Sequence, residues 1–216
     1  SQLVGRIKGR GSEVCGDLVV TSLSSIAPRI APLLAAFQQE HKDVVVRYLT
    51  GRRLFRLEYG EAHVAIRAGM APDQPDNVVQ PLMDLQVGAY ASRGYVAECG
   101  TPKGSGDFSK HRFIGSDDLD NRAPYYKWLH ENVPQSAVTF RTTDMRAAEA
   151  ALYAGAGIGF LTKEQAALAP DLVEIYPPRP EWSASVWLVT HVDLHRTTKV
   201  QALLQFLKTQ MRDGSA

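Results

Sequence analysis

The sequence predicts an α/β protein assembled from βαβ units, and three observations carry that prediction. Short β-branched runs alternate along the chain with segments of helical periodicity, which is the pattern of parallel strands joined by helices. The apolar runs end in hydroxyl-bearing residues just where the helical pattern starts. The chain has 216 residues with 44% hydrophobic content, enough for one large domain or two small lobes with ordinary cores.

The first strand is GDLVVTS, closing on Thr21 and Ser22. With Ser24 and Ser25 these form a hydroxyl block ahead of a helix, where Ser or Thr can accept from the free N–H groups of the first turn. Those donors and the partial positive charge of a helix start also suit an anionic ligand. The apolar stripe Ile26, Ile30, Leu33, Leu34 and Phe37 predicts a helix to about His41. Pro32 inside it predicts a kink or an irregular start. Val44 to Leu49 reads as the second strand and ends on Thr50-Gly51. A helix of about two turns should follow, stopping at Gly60, and Val64-Ala65-Ile66 is the third strand. In a parallel sheet the junctions after successive strands share one carboxyl edge, where open α/β sheets bind ligands.

Two apolar runs, Val78 to Met83 and Leu85 to Ala91, carry the chain out of this first group. A second alternating set follows: a helix at Tyr95 to Cys99, a strand at Arg112 to Gly115, a helix at Tyr125 to Asn132, a strand at Ala137 to Arg141 and a helix from Asp144 to Ala154. The Gly-rich turn from Gly155 leads into a buried strand ending at Thr162, with Lys163 to Leu168 helical and Leu172 to Tyr176 extended. The last strand, Val186 to Val189, leads to a closing amphipathic helix whose face is Val200, Leu203, Leu204, Leu207 and Met211, with Phe206 at its margin. Residues 1–14 are polar and Gly-rich and read as a solvated linker.

Lys and Arg number 24 against 23 Asp and Glu, a formal charge of +1, without the basic excess of a nucleic-acid-binding domain. Cys15 and Cys99 are far apart and form no CxxC pair, so neither a disulfide framework nor a zinc site is indicated, and a reducing cytoplasm is the simplest compartment. No run reaches the roughly 18 apolar residues of a membrane span, and the N-terminus has no signal-peptide core. Of six histidines only His191 and His195 have metal-like i, i+4 spacing, and they lack an evident third ligand. The SLSS start is no nucleophile elbow. The glycines of GAGIGF open a strand, so they do not form a dinucleotide-binding turn. No catalytic constellation supports an enzyme such as a small lyase or dehydratase, and no cofactor is expected.

The order of the motifs resembles the effector-binding domain of LysR-type transcriptional regulators, similar in fold to type 2 periplasmic solute-binding proteins. The segments that carry the resemblance are GDLVV, PLLAAFQQEHKDV, LEYGEAHVAIRAG, LQVGAYASRGYVAECGTP, DFSKHRFIG, AALYAGAGIGFLT, LVEIYP and VWLVTHVDLHRTTKVQALLQFLK, spread over residues 16–208. The chain departs from the family's pattern at His63, where Asp is frequent, at Lys42, where Pro is frequent, and in a shortened connection at Leu49 to Arg52.

The resemblance implies two Rossmann-like lobes joined by two crossover strands. The first would be residues 15–88 plus 190–216 and the second 89–189, with 1–14 the remnant of a linker to an N-terminal helix-turn-helix domain outside this chain. It implies a small-molecule effector between the lobes, a small anion such as an organic acid or amino acid. The implied contacts are Ser22, Ser24, Ser25, Thr50, Gly51 and Arg67 from the first lobe, and Ser116, Thr143, Asp144, Phe160, Leu161 and Thr162 from the second. Arg67 could instead pair with Asp73 or Asp76, Thr143-Asp144 could simply cap a helix, and Phe160 could be ordinary core. The resemblance also implies a homodimer through the first helix, a tetramer in the full-length protein, and DNA contact through the absent domain. A solute-binding receptor of a transport system, with the same fold but requiring export, is the alternative.

Overall fold

The computed structural model describes residues 13–51, 57 and 60–213. The expected linker over 1–14 and the two-turn helix before Gly60 fall almost wholly outside these residues. The chain divides into two compact units, residues 1–83 with 185–216 and residues 84–184.

In the first unit, β1 (Gly16–Ser22), β2 (Val44–Thr50), β3 (Val64–Ala68), β4 (Asn77–Leu85, whose last residues enter the second unit) and the late strand Ala184–His191 form one sheet. The late strand lies between β3 and β4, and β2 is an edge. β1 pairs parallel with both β2 and β3. Strand β1 is buried from Leu18 onward, as expected of a central parallel strand covered on both faces. Helix α1 (Ala27–Glu40) lays Ile30, Leu34 and Phe37 against the core, each worth about 1.5–3 kcal/mol when fully buried. Its Pro32 is accommodated within the helix, and the irregularity falls at the start, as a single 3-10 turn over Ser24–Ile26.

The second unit repeats the strand plan with different residues. Its strands are β5 (Val87–Ser92), β6 (Phe113–Ser116), β7 (Val138–Thr142), β8 (Gly159–Thr162) and β9 (Leu172–Tyr176), with α2 (Arg93–Cys99), α3 (Pro124–Asn132), α4 (Met145–Tyr153) and α5 (Lys163–Ala167) between them. A parallel bridge between Phe113 and Ile158 joins the pair β6-β7 to the triplet β8-β5-β9. The late strand of the first unit is β10 (Ala184–His191). It is followed by α6 (Val192–His195) and α7 (Thr198–Asp213), which buries Val200, Leu203, Leu204 and Leu207 and sets Phe206 edge-on to Phe37 at 5.5 Å.

The purely parallel expectation holds for β1 to β3 and for β6 with β7. It fails where the chain changes units: β10 runs antiparallel to β3, and β5 antiparallel to both β8 and β9. A strand entering a sheet from another unit needs no helical crossover, so nothing forces it parallel.

Two histidines tie distant segments together through their ring nitrogens. Val19 N donates to His63 Nδ1 at 2.8 Å while His63 N donates to Val19 O at 2.8 Å. Tyr95 OH accepts from Arg112 N at 3.0 Å and shares a second hydrogen bond with His111 Nδ1, also at 3.0 Å. Burial lowers both pKa values. Lys199 pushes His63 the same way against Asp17, and for His111 the Asp107 carboxylate opposes burial while Lys110 assists it. His195 is lowered as well, by burial, Lys208 and Arg196.

A histidine depressed in the fold leaves the unfolded chain holding more protons once pH drops below its ordinary value of about 6.5. This contribution to stability is therefore complete above that pH and is lost as pH falls toward the folded-state values. The urea midpoint should decrease between about pH 7.5 and 5.5. His63→Asn, which keeps an acceptor for Val19, should make that decrease shallower. A midpoint flat across the window contradicts the assignment.

Candidate functional site

At the carboxyl edge of the first sheet, Ser22 stands opposite both Thr50 and Ile66, so β1 and β2 finish in one row while β3 runs two residues further, to Ala68. Gly51 N adds a rung by donating to Ser22 O at 3.2 Å. The Ser22 side chain is buried, donates to Leu23 O at 2.9 Å and shares a short hydrogen bond with the Tyr48 hydroxyl. With its proton on Leu23, Ser22 accepts from Tyr48. Burial raises the Tyr48 pKa, and the Ser22 contact partly offsets this. Tyr48 is a site-edge residue the sequence reading missed. The signal was its position two before Thr50 on one face of β2.

The expected hydroxyl cap on the first helix does not form. The extended residue ahead of the 3-10 turn is Leu23, at φ −68° and ψ 146°, and the residue ahead of α1 is Ile26. Neither provides a side-chain acceptor. Ser24 and Ser25 lie inside the turn, one residue too late to cap, and the well-placed hydroxyl upstream, Ser22, is taken by Tyr48. Ser24 is consequently exposed and Ser25 half-buried, beside first-turn N–H groups that neither preceding residue caps. Thr50 is exposed on the same edge. Arg67, half-buried at the end of β3, donates from Nη1 to Gln74 Oε1 at 3.4 Å in the following loop.

In the second unit, Ser116 and Thr142 are in register at the ends of β6 and β7. Ser116 Oγ accepts from Asp118 N at 3.1 Å and from Asn121 Nδ2 at 3.4 Å, which closes the loop after β6. Asp144 caps α4, accepting from Arg146 N at 2.9 Å. Thr143 beside it is exposed.

Phe160 packs among Tyr125, Tyr126, Trp128 and Trp182 with centroid distances of 5.2–6.4 Å. Leu161 is buried against Tyr90, Ile114 and Leu152. Thr162 forms a capping box with Gln165, each side chain accepting from the other's backbone N–H. Of the twelve candidates, Ser22, Ser116, Asp144, Phe160, Leu161 and Thr162 thus have side chains engaged in holding the fold. Ser24, Ser25, Thr50 and Thr143 lie at or beside the strand ends on the surface or half-buried.

The edge can donate and accept hydrogen bonds, but among the described residues it assembles no nucleophile and base. His191 Nδ1 accepts from Asp193 N at 3.3 Å to cap α6, and His195 Nδ1 pairs with Thr190 Oγ1 at 2.8 Å, so each of the spaced histidines has a structural partner. Among the described residues there is no group of three or more His, Cys, Asp or Glu that could hold a metal ion. No helix among them is long and apolar enough to cross a membrane.

The sequence model of the LysR substrate binding domain matches residues 11–212. Over 215 residues, 95% of this chain and 67% of the relative's length, the sequence is 26% identical to an HTH-type transcriptional repressor of Pseudomonas aeruginosa. Among solved structures the chain is similar to the regulatory domain of CrgA, a LysR-type transcriptional regulator from Neisseria meningitidis. The TM-score is 0.76 and the identity 19%, covering 91% of this chain and 99% of that one. It is also similar to full-length AphB, a virulence activator of Vibrio cholerae, with TM-score 0.71 and 15% identity over 95% and 73% of the two chains. These structural likenesses concern the fold.

Proposed function

The chain belongs to the LysR substrate-binding domain family, as the effector-binding domain of a LysR-type transcriptional regulator, and on that premise we propose that it senses a small anion at the carboxyl edges of its two sheets. The family match is the observation that carries this reading over a transport receptor of the same fold. In the proposal the two units are lobes of one sensor, and each contributes contacts to the effector. Ser24, Ser25 and Thr50 meet its anionic group from the first unit, Thr143 and the Ser116 loop approach from the second, and Arg67 supplies charge.

Binding that favours one arrangement of the units over another, by its differential affinity for the two, changes how the full-length regulator engages DNA. The DNA contact belongs to a helix-turn-helix domain preceding this chain, and the regulator works in the cytoplasm as a ligand-binding protein without catalysis. It pairs through the outer face of α1, where exposed Ala31 and Ala35, four residues apart, offer a flat surface for a second helix, and dimers associate into a tetramer.

A thermal-shift screen of small carboxylates and amino acids should find an effector, since a tight ligand raises Tm by mass action. In calorimetry with the best hit, Ser24→Ala combined with Thr50→Ala should weaken binding roughly ten- to hundred-fold, about 1–3 kcal/mol for two hydrogen bonds to an anion. Both residues are exposed, so Tm without ligand should not move. Unchanged affinity in the double variant removes these hydroxyls from the site.

A further inference from the structure

The second unit carries a pocket that none of the twelve candidate effector residues lines. It has a volume of about 370 Å³ and is formed by Gln86, Lys163, Glu174, Arg179 and Ser183, together with the prolines on either side of Arg179. That volume lies within the usual range for small-molecule sites. Three adjacent strand ends build it: β8 ends at Thr162, opposite Val87 at the start of β5, and Ala89 of β5 pairs with Tyr176 at the end of β9. Lys163 N donates to Gln86 O at 2.8 Å and Arg179 N to Val87 O at 3.3 Å, so both basic residues are fixed by their backbones to the same short stretch of β5. With two strand spacings between them, Lys163 and Arg179 are rooted roughly 10 Å apart.

The Arg179 side chain is held in place. Its guanidinium lies 4.5 Å from the Tyr176 ring centroid and 4.7 Å from that of Trp182. A guanidinium stacked on aromatic faces keeps its in-plane N–H groups free for a carboxylate, at little further entropy cost. Its ion pair to Glu181, at 3.8 Å, is long and exposed on the Glu181 side. Lys163 is exposed. Glu174, which pairs with Tyr90 across a bulge in the β5-β9 ladder, also lines the cavity. Two cations and one carboxylate around a small cavity complement a molecule with two negative groups and one positive.

We propose that this pocket is a second ligand site, for a small amino dicarboxylate, with its carboxylates on Arg179 and Lys163 and its ammonium on Glu174. The site is independent of the effector edge proposed above.

The test is calorimetry on the intact protein with L-glutamate and with glutarate, its counterpart lacking the amine. L-glutamate should bind the native protein, and Arg179→Leu and Lys163→Gln should each weaken it about ten-fold or more, the loss expected of a charge-assisted pair. Glu174→Gln should weaken L-glutamate while leaving glutarate unchanged. Lys163→Gln alters an exposed residue and reads the site even if loss of Arg179 disturbs the aromatic stack. The proposal is overturned if neither probe binds at millimolar concentration, or if binding survives Lys163→Gln and Arg179→Leu. Binding abolished by the Ser24→Ala, Thr50→Ala double variant and not by these two would assign L-glutamate to the effector edge instead.

Discussion

Trp182→Ala is expected to destabilise the protein by about 3–5 kcal/mol, the range for truncating a fully buried tryptophan. The side chain is wholly buried and lies at the centre of the second unit's core, 5.0 Å from Trp128, 5.2 Å from Phe160 and 6.3 Å from Tyr176 by ring centroids. All three contacts are edge-to-face, the geometry in which aromatic pairs add about 0.5–1.5 kcal/mol beyond burial. The indole Nε1 has no hydrogen-bond partner among the described residues, so the ring acts through its packing and its aromatic faces. Trp182→Phe, which loses that N–H together with some volume, should therefore retain more than half of the stability that Ala removes. Urea unfolding followed by near-ultraviolet circular dichroism reads both variants. Equal losses for Phe and Ala would show that the N–H matters and that the ring's packing does not. Trp182→Ala also removes one of the two faces that hold Arg179, so L-glutamate binding should fall with it.

That aromatic core illustrates what the sequence does and does not disclose. Tyr125, Trp128 and Phe160 each sit on a short element whose periodicity is easily read, whereas Trp182 ends a 3-10 turn over Pro180–Trp182 that no periodicity announces, and the convergence of all four depends on pairings between strands far apart in the chain. Local pattern located the elements well because strands and helices are set by side-chain period and turn chemistry: Leu172–Tyr176 begins and ends where its apolar run does. The carboxyl edges were legible for the same reason, since Thr50 and Ser22 close their strands.

What hydroxyls do there was not legible. A helix start in SLSSI can place its extended residue at any of several positions, and the choice of Leu23 moves Ser24 and Ser25 from capping to the turn itself. Ser22 is satisfied by Tyr48, 26 residues away, through a register that no local signal encodes. The role of His63 as acceptor for Val19 has the same origin. The antiparallel β5 and β10 were hidden because an apolar run has no intrinsic direction.

Gly157→Ala is the second large effect expected, and it follows from the seam that holds the second unit's strands together. A Cβ at position 157 would lie 2.5 Å from Arg112 O and 2.7 Å from Arg112 C. These are backbone atoms, and they are pinned, because Ile158 N donates to Arg112 O at 2.8 Å and Ile114 N to Ile158 O at 2.9 Å. Relief therefore requires opening the bridge between Phe113 and Ile158 that joins the pair β6-β7 to β8. Overpacking generally costs about 1–3 kcal/mol, and with immobile neighbours the loss should reach or exceed the top of that range. Gly106→Ala is the control, since a methyl group there would meet nothing within 4 Å, and it should leave stability unchanged. Hydrogen exchange locates the damage: in Gly157→Ala the amides of Ile114 and Ile158 should lose protection first, before those of β5 and β9. Because β6 leads to Ser116 and β8 to Thr162 and Lys163, the same variant should weaken ligand binding at both the effector edge and the Arg179 pocket. Native protection at Ile114 and Ile158 in the alanine variant would mean that this contact is not what brings the two sets of strands together.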